Sequence, residues 1–232
     1  MGTLEPGRLR AVLFDLDDTL VNWRAAEAGA IASLAKTQFA PLGFAGDTVR
    51  TAYDGVMEEN IRSWSQLRRW WYISERLQLL SERLGTADRL PGTALADAFS
   101  RDVSTRLCLL DGATDALRRA RAGRRTALLT NGRSESQRPK VEAFALEAEV
   151  DFVGISGELG HWKPDAAAFH AVLDRLRVRP EEALMVGDSI DFDILPAKAL
   201  GMQTAWVNPA GASHPQADVV VATPGHLVGH LG

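Results

Sequence analysis

The chain is predicted to adopt an α/β fold, a doubly wound, Rossmann-like parallel-sheet core interrupted by an inserted all-helical domain. Three observations predict it. Short, wholly apolar runs end abruptly in acids, at Val12-Leu13-Phe14-Asp15 and at Ala183-Leu184-Met185-Val186-Gly187-Asp188, and a strand apolar on both faces belongs in the middle of a parallel sheet. From Asp111 onward, strand and helix patterns alternate, which implies right-handed crossovers with helices on both faces. Between Val21 and Leu110 the periodicity is helical only.

The first strand runs into Asp15-Leu16-Asp17-Asp18-Thr19. In open parallel sheets ligands sit beyond the carboxyl ends of the strands, so Asp15 and Asp17 fall at the working edge. Three acids in four residues repel one another and lose hydration when partly buried. A cation is therefore expected among them, and oxygen-only ligands suit Mg2+. Helical runs follow near Trp23 to Phe39, Asp47 to Trp64, Gln66 to Leu84 and Thr93 to Leu107. They are broken by Pro41-Leu42-Gly43, by a serine, and by Gly85 to Gly92. A plain βα connection needs only a few residues before one helix. Residues 21–110 therefore read as a second, smaller domain, leaving 1–20 and 111–232 as the α/β core.

Asp111 or Gly112 is placed to start a helix that ends at Gly123. Strands are predicted at Arg125 to Thr130, Asp151 to Ile155, Ala183 to Gly187 and Gln203 to Val207, with a short one at Val219 to Val221. Pro139 sits badly inside a helix, so the helix after Asn131-Gly132 is expected to start near Gln137 or to bend there.

Composition narrows the partner. The 232 residues carry 26 basic against 30 acidic side chains, a net charge of −4, which offers no basic stripe for nucleic acid and no polybasic membrane anchor. A small molecule is the expected partner. No stretch approaches the roughly eighteen consecutive apolar residues of a membrane span. The single cysteine, Cys108, cannot form an intrachain disulfide, and Met1 to Arg10 lacks the apolar run of a signal peptide. A cytoplasmic location is expected on both grounds. Nothing in the sequence sets an oligomeric state.

Four short motifs stand in order: Asp15-x-Asp17-x-Thr19, Thr130-Asn131-Gly132, Lys163-Pro164-Asp165, and Gly187-Asp188-Ser189 followed by Asp193. Together they resemble the motifs of the haloacid dehalogenase-like hydrolase superfamily, in its phosphatase branch with a helical cap inserted after the first catalytic strand. The resemblance runs from about Arg10 to Asn208. It implies a first strand lying between those that end in Thr130 and Gly187, which brings Asp15, Thr130 and Asp188 together. It also implies that residues 21–110 form a cap closing over the site.

The implied function is a Mg2+-dependent phosphomonoester hydrolase that acts on a small phosphorylated metabolite through an aspartyl-phosphate. Phosphate monoesters hydrolyse extremely slowly unaided, so the enzyme must supply a nucleophile, a proton and charge neutralisation. A carboxylate nucleophile splits one hard step into two easier ones, and the resemblance gives that role to Asp15. Asp17 is expected to be the proton carrier, and the resemblance implies that it lends its backbone carbonyl to the metal, alongside Asp15 and Asp188. Asp193 is expected to support the metal from behind these ligands. Thr130 and the Asn131 amide would bind phosphate oxygens, and Lys163 adds positive charge to the nucleophile and the transferring group. His161, Trp162 and Pro196 depart from the usual neighbours of these motifs without removing a reacting group. In the helical segment Arg68, Arg69 and Trp71 are candidate substrate contacts, although aromatics there read more readily as core, with the arginines outside.

Other readings are weighed by single features. A 2-haloacid dehalogenase of the same superfamily lacks the second acid, because halide leaves without a proton, and Asp17 argues against it. A phosphosugar mutase keeps both acids and a similar cap. A receiver-like phosphoacceptor module has no cap, and the long helical insert disfavours it.

Overall fold

The computed structural model describes residues 3–67 and 71–232. In chain order its strands are β1 (Ala11–Phe14), β2 (Arg125–Thr130), β3 (Phe152–Ile155), β4 (Ala183–Gly187), β5 (Gln203–Val207) and β6 (Val219–Val221). Its α-helices are α1 (Trp23–Leu34), α2 (Gly46–Leu67), α3 (Ile73–Arg83), α4 (Gly92–Arg106), α5 (Ala113–Arg121), α6 (Ser134–Ala143), α7 (Ser156–Leu159), α8 (Ala166–Leu176) and α9 (Leu195–Ala199). Two compact units result: Met1–Asn22 with Cys108–Gly232, and Trp23–Leu107. Val21 and Asn22 stay with the sheet because Val21 bridges to Asp17 and Leu109. The Asn22 amide donates to Cys108 O at 3.1 Å, while its side-chain oxygen accepts from the Cys108 amide at 2.7 Å.

Among the described residues the six strands form one parallel sheet in the order β3-β2-β1-β4-β5-β6. The first strand lies between β2 and β4, as expected. β1 is buried along its whole length, and its alternating side chains feed two cores. Val12 and Phe14, with Leu128, Leu184 and Val186, pack against Ala113, Ala116, Leu117 and Ala120 of α5. On the opposite face Ala11 and Leu13, with Ala127, Leu129, Ala183 and Met185, pack against Phe169, Val172 and Leu173 of α8. A continuous apolar run is what a strand covered on both faces requires. Register sets Phe14 beside Leu128 and Val186, so the residues that follow β1, β2 and β4 share one edge.

The helical unit has a core of its own. Ala26, Ala30, Ile31 and Leu34 of α1 meet Val49, Tyr53 and Val56 of α2, Leu77 and Leu80 of α3, and Leu95, Phe99 and Val103 of α4. The three- and four-residue spacings give each helix one buried stripe.

Three sequence expectations are corrected. The second helix does not break at its serine but continues to Leu67, since one serine costs a helix only a few tenths of a kcal/mol, on the order of 0.5. The third helix starts at Ile73, so Trp71 and Tyr72 precede it. Trp71 packs against the helical core, and Arg68 and Arg69 lie outside the described residues. Finally, α6 starts at Ser134 rather than near Gln137 and contains Pro139. Proline there forfeits a bond to the carbonyl of Glu135, an exposed residue, so solvent replaces the missing donor close to the helix start.

Candidate active site

Asp15 leaves β1 with its amide donating to Val186 O at 2.9 Å, so β4 sets its position. Its side chain is buried, and Oδ1 accepts from Lys163 Nζ at 2.6 Å. The same ammonium donates to Asp193 Oδ1 at 2.6 Å, and Asp193 Oδ2 accepts from the Ser189 amide at 3.0 Å. Gly187 makes this possible, because a Cβ there would run into the Asp193 carboxylate. Asp188 sits at the end of β4, its carbonyl accepting from the indole N–H of Trp206 at 2.8 Å.

Charge is uneven in this cluster. Burial pushes the Asp15 carboxyl well above the usual carboxylate range. Lys163 opposes that, while Asp193 and Asp188 push it further up. Burial would lower Lys163, but Asp15 and Asp193 outweigh it and hold the ammonium above its ordinary value. Asp15, Asp188 and Asp193 each bring a carboxylate oxygen within 4.8 Å of the others. Asp15 and Asp193 share the single ammonium of Lys163, with the Asp188 carboxylate close by, so negative charge gathers here. A hard divalent cation with oxygen ligands offsets that charge, so the donor set fits Mg2+.

Beside this cluster lies a second one. Asp17 accepts from Lys140 Nζ at 2.7 Å on both carboxylate oxygens, and Gln137 Nε2 lies 3.0 Å from its Oδ2. Gln137 Nε2 also donates to Thr130 Oγ1 at 2.6 Å. Asn131 also supports the lysine loop. Its side chain clasps the backbone of Lys163, with Nδ2 donating to Lys163 O and Oδ1 accepting from the Lys163 amide, each at 2.9 Å. Oδ1 also accepts from Ser156 Oγ at 2.8 Å. The primary amide supplies the one donor and one acceptor that a single backbone residue needs.

A model of the haloacid dehalogenase-like hydrolases matches residues 9–201. The chain belongs to that family. Ribulose-1,5-bisphosphate 5-phosphatase of Halopiger xanaduensis is 31% identical over 236 residues, covering 94% of this chain and 97% of the relative. Glyceraldehyde 3-phosphate phosphatase of Pyrococcus furiosus is 31% identical over 86% of this chain and 80% of its own. Among solved structures, the magnesium-bound HAD-hydrolase YfnB of Bacillus subtilis aligns with a TM-score of 0.77 at 25% identity, over 97% of this chain and 99% of that one. No described helix of this haloacid dehalogenase-like hydrolase is long and apolar enough to cross a membrane.

Asp15, Asp17, Thr130, Asn131, Lys163, Asp188 and Asp193 all lie within the sheet unit of this hydrolase. Asp15, Lys163, Asp188 and Asp193 form one cluster, Asp17 and Thr130 the other, and Asn131 anchors the lysine loop. Sequence reasoning missed Gln137, Lys140, Ser156 and Trp206. Gln137 and Lys140 left one signal, their spacing of three, which puts two polar side chains on the same helical face as the loop's end.

Proposed function

We propose that the chain is a Mg2+-dependent phosphomonoester hydrolase that acts on a small phosphorylated metabolite through an aspartyl-phosphate. One observation carries this reading: a buried, lysine-bonded carboxylate, Asp15, stands two residues before a second acid, Asp17. An ester oxygen needs a proton to leave and a halide does not, so the second acid favours a phosphate ester over a haloacid. The phosphatases of Halopiger and Pyrococcus support the substrate class, and the magnesium of YfnB supports the metal.

Asp15 attacks phosphorus while the bond to the leaving oxygen breaks, and Asp17 gives that oxygen its proton. Water then attacks the aspartyl-phosphate at phosphorus and passes a proton to Asp17. The bond to the Asp15 oxygen breaks and phosphate departs. Lys163 holds the nucleophile and offsets charge on the transferring group, while the Thr130 hydroxyl and the Asn131 amide bind phosphate oxygens. Asp15, Asp188 and the Asp17 carbonyl would hold Mg2+, with Asp193 steadying Lys163 and Ser189 behind them. Bound there, the ion neutralises phosphate charge and polarises the phosphoryl group. The helical unit, tethered at Asn22 and Cys108, serves as the cap that selects a small leaving group. The lone cysteine is in keeping with a cytoplasmic setting.

Purified protein is expected to release phosphate from p-nitrophenyl phosphate with Mg2+, to stop with EDTA, and to recover when Mg2+ is restored. Undiminished turnover after complete metal removal would overturn the metal assignment. Absence of turnover on every phosphomonoester tried would overturn the reaction.

A further inference from the structure

The nucleophile is held by Lys163, but the second acid is held by a different element. Lys140 and Gln137 on α6 are almost sealed from solvent, at 4% and 2% exposure. Lys140 spans both oxygens of Asp17 at 2.7 Å, and Gln137 ties Asp17 Oδ2 to the Thr130 hydroxyl. A buried ammonium is costly unless it is paired, and the carboxylate that pairs Lys140 is Asp17. The helix also fits closely against the loop. Gly132 leaves space for Gln137, since a Cβ on it would lie 2.7 Å from Gln137 Cγ.

We propose that Lys140, assisted by Gln137, is a positioning residue that fixes the Asp17 carboxylate relative to the Thr130 hydroxyl, and so aims the proton carrier at the leaving oxygen. The inference rests on the phosphomonoesterase reading above. Asp17 stands on the loop after β1, and α6 supplies side-chain bonds to its carboxylate. A two-pronged bond from a buried ammonium fixes both carboxylate oxygens. Through Gln137 the acid and the phosphate-binding threonine are joined by one helix, a firmer support than the loop alone. A misplacement of about 1 Å in such a group costs about 10²-fold in rate.

The test uses two aryl esters that differ in leaving-group basicity, phenyl phosphate and p-nitrophenyl phosphate, on the full chain with Mg2+. Phenolate needs a proton to leave, and p-nitrophenolate needs little help. Lys140→Met is expected to lower kcat/KM on phenyl phosphate by about 10–100-fold, and by about tenfold less on p-nitrophenyl phosphate. Lys140→Arg keeps a two-pronged donor and should recover most of the loss. In an Asp17→Asn background Lys140→Met should add little, because the residue it positions is already disabled. Should Lys140→Met fail to fold by circular dichroism, Gln137→Leu makes the same comparison with a smaller expected split. Equal losses on both esters, additive with Asp17→Asn, would overturn the positioning role and leave Lys140 a structural ion pair. If the wild type turns over neither ester, the phosphomonoesterase reading falls and this inference with it; parallel losses beside an active wild type overturn this inference alone.

Discussion

Each unit of the chain buries a charged cluster, and the two differ in balance. In the helical unit Arg76 Nη1 meets Glu27 Oε1 at 3.0 Å, and the Tyr53 hydroxyl donates to the same oxygen at 2.9 Å. One carboxylate answers one guanidinium, and the pair ties α1, α2 and α3 together. In the sheet unit two carboxylates, Asp15 and Asp193, share one ammonium, Lys163, and the Asp188 carboxylate stands within 4.8 Å of theirs. A pair balanced in charge draws no further ion and serves the fold. An unbalanced cluster keeps an unmet demand for positive charge, which is the property a metal and phosphate site needs.

The sharpest way to break this contrast is to remove the nucleophile. Asp15→Asn should lower phosphate release by about 10⁴-fold or more, yet leave the metal-free protein at least as stable. The sign follows from the raised carboxyl of Asp15. The folded state binds that proton more tightly than the unfolded state, so stability falls as pH rises from the ordinary carboxyl range through the raised value. Asparagine removes the fall. Thermal unfolding at pH 5 and pH 7 in EDTA would show it, and a clearly destabilised Asp15→Asn would mean the sheet cluster is balanced after all.

The helical cluster should behave in the opposite way. Arg76→Met leaves the partly buried Glu27 without its cation and should cost about 3 kcal/mol in urea unfolding. Arg76 Nε is buried without a hydrogen-bond partner, so the pair is incompletely satisfied. Replacing both members, Glu27→Leu with Arg76→Met, should therefore cost much less than the single change. An equal or larger cost for the pair would break the view of this cluster as a simple balanced one.

The smallest effect concerns the missing charge itself. At a hundredfold excess over its dissociation constant, Mg2+ should stabilise the protein by about 2.7 kcal/mol, read as an upward shift in the thermal midpoint between EDTA and Mg2+. Asp188→Asn should abolish most of that shift, while Glu27→Gln should leave it intact. A shift that survives Asp188→Asn would move the metal elsewhere.

The strands were legible because their signal is local. An apolar run covered on both faces has no polar alternation to hide, and β2, β4, β5 and β6 begin and end where the residue pattern places them. The α6 start was misjudged because proline's penalty depends on where the lost bond falls, and at exposed Glu135 it is slight. Asn131 was readable as a main-chain phosphate contact from its motif, whereas the bonds of its side chain to the Lys163 backbone are announced by no sequence pattern.

Sequence by itself determined the chemical groups and their level in the fold: carboxylates at the ends of β1 and β4, a hydroxyl at the end of β2, and a lysine in the loop after α7. The physical reason is that a strand's burial and its abrupt polar end are set by adjacent residues. Only the tertiary structure decided which charge meets which. Lys163 reaches Asp15 across 148 residues and Asp193 across 30, while Lys140 reaches Asp17 across 123. Parallel register brings residues a whole crossover apart onto one edge, and an ion pair depends on that distance in space, which periodicity along the chain does not encode.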